Sequence, residues 1–207
     1  MIQFFLTAVL SLATPIGDQA RAVIERVASH YSDGSAHSAS FTQSYTPAGF
    51  AAARRESGTI WIQAPQRLRF DYEAPEKKIF TYDGGEGRLL TPADRQLTIR
   101  KLSGEERARL PIVFLSDPAE LDRQYAITAE AGESGGSRLL LTPRSPRPDL
   151  AWLRVTVAPD GSLNSLAYED SSGSRSEFRF ESWRKTKPRP ASDYRAAGPP
   201  GTRILEN

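Results

Sequence analysis

The sequence predicts a mainly β protein with a few helices: an antiparallel sheet, wet on one face, carrying one amphipathic helix and one helical insertion. Three observations point there. From Ser40 onward the apolar residues recur with a period of two, in runs of five to eight residues. Turn signals separate these runs, among them Asp83-Gly84-Gly85, Gly135-Gly136, Asp160-Gly161 and Ser171–Ser174. Two stretches, 18–31 and 103–124, break the alternation and carry helical marks.

In chain order, residues 1–13 come first, MIQFFLTAVLSLA, without a charge. A helix that crosses a bilayer needs about 20 apolar residues, so this run is too short. It reads as a secretory signal peptide, with Ser11 and Ala13 placed for cleavage after Ala13, ahead of a single domain over 14–207. No Lys or Arg precedes the apolar run; a buried first strand or helix, or a start codon set elsewhere, fits the same residues. After Pro15-Ile16-Gly17, Asp18 is placed to cap a helix to about Tyr31. Ala20, Val23, Ile24, Val27 and Tyr31 share one face of it.

The strands follow. Residues 56–63 put Ile60 and Ile62 on one face and Thr59 and Trp61 on the other. Residues 67–72 put Leu68, Phe70 and Tyr72 opposite Arg67, Arg69 and Asp71. Residues 78–82 and 96–101 continue the pattern, and 124–129, 137–142, 151–157, 163–169 and 176–183 resume it after the insertion. Strands of this length at hairpin spacing describe an antiparallel meander. Within the insertion, Ser103 and Glu106 are spaced as a capping box. Pro111 to Leu115 then form an apolar knot, and Ser116-Asp117-Pro118 a second cap-like start. Residues 184–200, rich in Lys, Arg and Pro, read as a solvated connection to a short last strand near 202–205.

Composition narrows the function. There are 207 residues, 39% hydrophobic and 25% charged, which is the balance of a globular chain and not of a disordered one. Lys+Arg is 27 against Asp+Glu 25, so a nucleic-acid partner has little support. Cysteine is absent, which excludes disulfides, cysteine zinc sites, cysteine nucleophiles and a lipid-modified cysteine. His30 and His37, the only histidines, read as solvated surface residues, His30 at a helix end where a cation suits the dipole. No catalytic triad spacing, histidine metal pair or phosphate loop is present; Gly84-Gly85-Glu86-Gly87 follows an Asp-Gly turn and fits a hairpin. The expectation is therefore a protein that is not an enzyme and takes no cofactor or metal. Arg54-Arg55, and the run Arg184, Lys185, Lys187 and Arg189, fit either a solvated basic surface or a site for anionic headgroups or an acidic partner.

Joint order and spacing carry one more reading. Ser57-Gly58-Thr59-Ile60-Trp61-Ile62, Pro65, Leu68-Arg69-Phe70-Asp71-Tyr72-Glu73, Pro75 and Tyr82-Asp83-Gly84 resemble the periplasmic outer-membrane lipoprotein carrier family, LolA. So do Phe41-Thr42-Gln43 upstream, Leu110-Pro111, Leu141-Thr142-Pro143, Asp160-Gly161 and Pro200-Gly201 downstream. The resemblance spans about residues 18–205. It implies an open, incomplete antiparallel barrel with lid helices over its concave apolar face. It also implies a monomeric carrier in the periplasm that takes a lipoprotein from an inner-membrane releasing transporter, hides its acyl chains and passes it to an outer-membrane receptor. The receptor in that family is anchored through an N-terminal cysteine, which this chain lacks.

On that reading the acyl chains would be lined by Ile60, Ile62, Leu68, Phe70, Tyr72 and Phe80 from the sheet and by Ile112 and Leu115 from the lid. Alternation alone favours a plain core between a sheet and its helices, and the resemblance reverses that order. One position departs from the family. An arginine commonly stands before the proline and bonds to the lid; here that residue is Ala64. Arg67 and Arg69 alternate away from the apolar face, so a lid latch has to come from elsewhere. The altered position leaves room for a carrier of free lipids or glycolipids on the same scaffold. A domain that senses lipid or binds a partner protein is the non-carrier alternative, by fold analogy alone.

Overall fold

Alternation is converted into a single large sheet. The computed structural model describes residues 17–115 and 118–206, the side chains of Glu105 and Leu115 excepted. The expected signal peptide, and Ser116 and Asp117 of the second cap, lie outside the described residues. Helix α1 spans Asp18–Tyr31. A first meander follows: β1 (Ala36–Thr46), β2 (Arg54–Gln63), β3 (Arg67–Ala74), β4 (Lys78–Tyr82), β5 (Glu86–Thr91) and β6 (Gln96–Lys101). The insertion holds α2 (Gly104–Ala108), a 3-10 turn (Pro111–Leu115) and α3 (Pro118–Gln124). A second meander comprises β7 (Tyr125–Ala131), β8 (Ser137–Pro143), β9 (Trp152–Val157), β10 (Leu163–Glu169) and β11 (Arg175–Thr186). The last strand is β12 (Arg203–Glu206).

The strand order is β12-β6-β5-β4-β3-β2-β1-β11-β10-β9-β8-β7. The long pair β1–β11 joins the two meanders, with a register shift between Ser38 and Ser40 that bends the ladder. Every pairing is antiparallel except β12 on β6. β12 and β7 form the two edges and do not pair with one another, so the curved sheet stays open and mainly β with helices on its concave face.

α1 lies on that face because five of its residues fall on one side at helical spacing. Ala20, Val23, Ile24, Val27 and Tyr31 are all buried, each Val or Ile contributing about 1.5–3 kcal/mol by full burial. They join Ile60, Ile62, Leu68, Val155, Val157 and Leu163 in one cluster. Polar ends are satisfied there: the Leu163 amide donates to the Tyr31 hydroxyl at 3.1 Å, and the Trp183 indole donates to the Leu163 carbonyl at 2.7 Å.

Four expectations are corrected. Gly17, not Asp18, holds the N-cap position, and no side chain caps α1; Asp18 sits in the first turn, where its carboxylate suits the positive helix end. β5 was hidden because Gly87 interrupts its apolar alternation. Residues 184–200 are mostly exposed, as expected, but they are not a free connection. β11 continues to Thr186, and the rest straps the convex face, burying Tyr194 and Ala196. Ala196 packs with Leu90 and Leu97 in a second small core. The Gln63 side-chain carbonyl accepts from the Arg189 amide at 2.9 Å and the Tyr194 hydroxyl at 3.2 Å, and burial pushes the Tyr194 phenol up to about 12. Two small anchors in a basic, proline-rich run give no periodic signal. Finally, His37 is buried at 4% exposure, because β1 starts five residues after α1 ends and turns the ring against Tyr31, 5.0 Å between centroids. His30 is half-buried, its Nδ1 2.8 Å from the Asp160 carbonyl.

Candidate functional site

The concave face divides into a sealed half and an open half. Ile60, Ile62 and Leu68 are fully buried in the cluster that α1 closes. Phe70, one register step along, is 3% exposed, while Tyr72 and Phe80 are half-buried. These last three wall a cavity of about 250 Å3, with Gln43, Tyr168 and Phe178 on the sheet side and Leu102, Leu110 and Pro111 on the insertion side. Phe70 is the centre of a ring cluster: Phe41 lies at 5.0 Å edge-on, Phe178 at 5.6 Å and Phe80 at 6.4 Å. Such rings present a rigid apolar wall.

A groove of about 350 Å3 continues from the cavity along β5 and β6, sharing Phe80, Arg100 and Leu102 and adding Leu89 and Thr98. Register explains the continuity: Phe70 opposes Phe80, Phe80 opposes Leu89, and Leu89 opposes Thr98. Gly87 makes room for Leu102, since a Cβ there would stand 2.6 Å from Leu102 Cδ2.

The rim is charged and polar. Arg100 pairs with Glu106 at 2.5 Å, tying β6 to α2, and Arg109 pairs with Asp149 at 3.0 Å, tying the insertion to the β8–β9 connection. Lys78 pairs with Glu56 at 2.6 Å and sits 4.3 Å over the Tyr72 ring. The Tyr72 hydroxyl donates to Gln43 Oε1 at 2.9 Å; burial holds its phenol well above its ordinary range, with Glu56 adding to the shift. The ring therefore stays a neutral donor.

The insertion is locally built by its sequence. Ser103 and Glu106 form the capping box, with bonds of 2.9 and 3.1 Å. Beyond it, Ile112 and Phe114 are buried against α1 and its cluster. Ile112 faces away from the aromatic cavity and lines a separate, polar-rimmed hollow of about 490 Å3 with Gln66, Tyr82 and Leu121. The Leu115 side chain lies outside the described residues. Of the eight expected lining residues, the structure thus gathers Phe70, Tyr72 and Phe80 at one cavity, places Ile60, Ile62 and Leu68 in the sealed core, and sets Ile112 on the far side of the insertion. Arg69 turns to the convex side, bonding Asp71 and the Asp193 carbonyl at 2.8 Å. With Ala64 lacking a donor, Arg100 and Arg109 make the ion pairs across the rim.

Gln43, Leu102, Leu110, Tyr168 and Phe178 were not foreseen. Tyr168 and Phe178 do alternate with apolar neighbours in their strands, but nothing in the sequence says that β11 lies beside β1. Chemically the cavity offers a ligand apolar area, with charge only at the rim. Its 250 Å3 falls below the range of about 300–1,000 Å3 usual for ligand sites. Among the described residues no three His, Asp or Glu side chains converge on a metal position, and no helix is long and apolar enough to cross a membrane.

Comparison with known proteins adds the lineage. Residues 33–195 match the family model described as outer membrane lipoprotein carrier protein LolA. The outer-membrane lipoprotein carrier protein of Xanthomonas campestris pv. campestris is 29% identical over 157 residues, 75% of this chain and 74% of that one. Among solved structures, an uncharacterized conserved protein from Thermus thermophilus shares the fold with a TM-score of 0.60 at 10% identity, covering 91% of this chain and 99% of that chain. MucB shares it with a TM-score of 0.52 at 16% identity, covering 89% of this chain and 65% of that chain.

Proposed function

The chain belongs to the outer-membrane lipoprotein carrier family, LolA, and from that premise we propose that it carries lipoproteins across the periplasm with their acyl chains held against the open half of the concave face. The observation that carries this reading is the aromatic-walled cavity under the α2 insertion, continuous with the groove along β5 and β6. Each methylene moved out of water is worth about 0.8 kcal/mol, so long acyl chains need such a wall in transit. Phe70, Tyr72 and Phe80 form its floor, and Leu102, Leu110 and Pro111 its movable side. Ile60, Ile62 and Leu68 act beneath that floor, holding it in place. The insertion is the lid, closed by Arg100–Glu106 and Arg109–Asp149. Opening only its α2 end breaks two ion pairs and the contacts of Leu110 and Pro111 while Ile112 and Phe114 stay buried against α1, a modest cost of the kind a transfer protein requires.

The expected donor is an inner-membrane releasing transporter and the expected acceptor an outer-membrane receptor. The role is one of binding and transfer, with no chemical step. The test is mass spectrometry of whatever copurifies with the tagged chain from a Gram-negative periplasm. Acylated lipoprotein is expected, and its loss on Phe80→Glu. Recovery of free lipid alone would move the reading to a lipid carrier, and an empty protein would end it.

A further inference from the structure

We propose that the tip of the β1–β2 hairpin is a finger that seats in the surface of an anionic phospholipid bilayer and sets the cavity mouth against it. The tip, residues 47–53, reads Pro-Ala-Gly-Phe-Ala-Ala-Ala and has no polar side chain. It is a defined turn: the Phe50 amide donates to the Pro47 carbonyl at 3.1 Å, and Gly49 takes the positive φ of +77° that the third turn position requires. The Ala48 amide donates to Ser174 Oγ at 3.2 Å, fixing the hairpin to the β10–β11 turn. This geometry leaves Phe50 69% exposed, more than any other large apolar residue among those described.

A single exposed apolar residue needs no explanation. Here residues 49–55 are exposed without interruption, and the last two are Arg54 and Arg55. Neither arginine makes an ion pair among the described residues, although many of the other arginines do. An aromatic tip above a cationic collar matches the layering of a bilayer surface, with rings at the headgroup level and arginines beside phosphates. Glu73 near the end of β3, Glu76 and Lys77 in the β3–β4 turn and Asp170 in the β10–β11 turn lie nearby, so the attraction comes from the hairpin's own collar.

Position gives the finger a purpose. Tyr45, 38% exposed, lies opposite Ser176, which lies opposite Tyr168 of the cavity wall. Gln43, two residues before Tyr45, lines the same cavity. A seated tip therefore brings the mouth close to the bilayer in which the expected transporter or receptor sits.

The chain has no cysteine, so Ala52→Cys at the exposed tip, which leaves Phe50 in place, and Asn164→Cys, labelled with an environment-sensitive nitrobenzoxadiazole dye, report two ends of the same sheet separately. With vesicles of phosphatidylglycerol and phosphatidylethanolamine, the dye at 52 should brighten and shift to the blue, and the dye at exposed Asn164 should not. In flotation, Phe50→Ser should lower partitioning about tenfold, and replacing Arg54 or Arg55 by Ser about fivefold each. Phosphatidylcholine vesicles should bind more weakly than anionic ones. Binding of a fluorescent fatty acid in solution should be unchanged by Phe50→Ser, which separates this inference from the carrier reading. An unmoved dye at position 52, equal flotation of Phe50→Ser, or attachment only to vesicles that contain membrane proteins would overturn it.

Discussion

Two halves of one concave surface carry the same alternating apolar sequence and meet different fates. Ile60, Ile62 and Leu68 lie beneath α1 and are closed to solvent. Phe70, Tyr72 and Phe80 come from the same or adjoining strands, yet stand in a cavity whose cover is the short α2 insertion. α1 presses five buried side chains onto the sheet and makes that half a solid core. α2 has five residues and reaches the sheet through rim ion pairs and a few apolar contacts. The difference teaches that an open apolar cavity here is a part of the core whose cover is too small to seal it.

The sharpest way to break that comparison is a charge placed in each half. Leu68→Glu puts an unpaired carboxylate in the sealed half and should cost about 3–5 kcal/mol, read as a lowered urea midpoint. Were Leu68→Glu as stable as the unaltered chain, the sealed half would not be sealed. Phe80→Ala in the open half should cost less stability but lower the affinity for a fluorescent fatty acid about tenfold, by removing ring area from the wall. Equal losses of stability at both positions would erase the distinction.

The cover itself comes next. Arg109→Ala removes the tie to Asp149, worth about 1 kcal/mol. Amides of α2 and the following turn should then exchange about fivefold faster in hydrogen exchange, while those of α1 keep their rates. Acceleration in α1 would mean that the two covers open together.

The smallest effect concerns pH. Burial lowers the His37 pKa, against the pull of the Asp33 carboxylate; His30 and Lys185 also face it and lower it slightly. The unfolded ring titrates near its ordinary 6.5, so the folded state binds fewer protons just below that pH. Stability is then complete above 6.5 and lost as pH falls through the depressed folded value. His37→Gln should flatten this slope in pH-dependent urea denaturation without changing fatty-acid binding. A slope that survives the substitution would assign it to other groups.

Much of the fold was legible because period-two alternation and turn chemistry are local. The strand faces of 56–63 and 67–72, the buried stripe of α1 and the Ser103–Glu106 capping box all follow from neighbours a few residues apart. The strap over the convex face was not legible, since Tyr194 and Ala196 are two anchors in a polar run. Nor was His37, whose burial depends on where α1 comes to rest. For the candidate site, alternation along the chain shows which side chains share a face, and it groups Phe70, Tyr72 and Phe80 with the fully buried Ile60, Ile62 and Leu68 without separating wall from core.

By itself the sequence determined the elements, their apolar faces and the family order of motifs, because each is set by spacing along the chain. Only the tertiary structure decided which apolar positions are core and which are wall. That depends on the area each helix covers after the sheet has curved and β11 has come to lie beside β1. Two helices of unequal reach, laid on one surface, leave one half dry and closed and the other able to receive a guest.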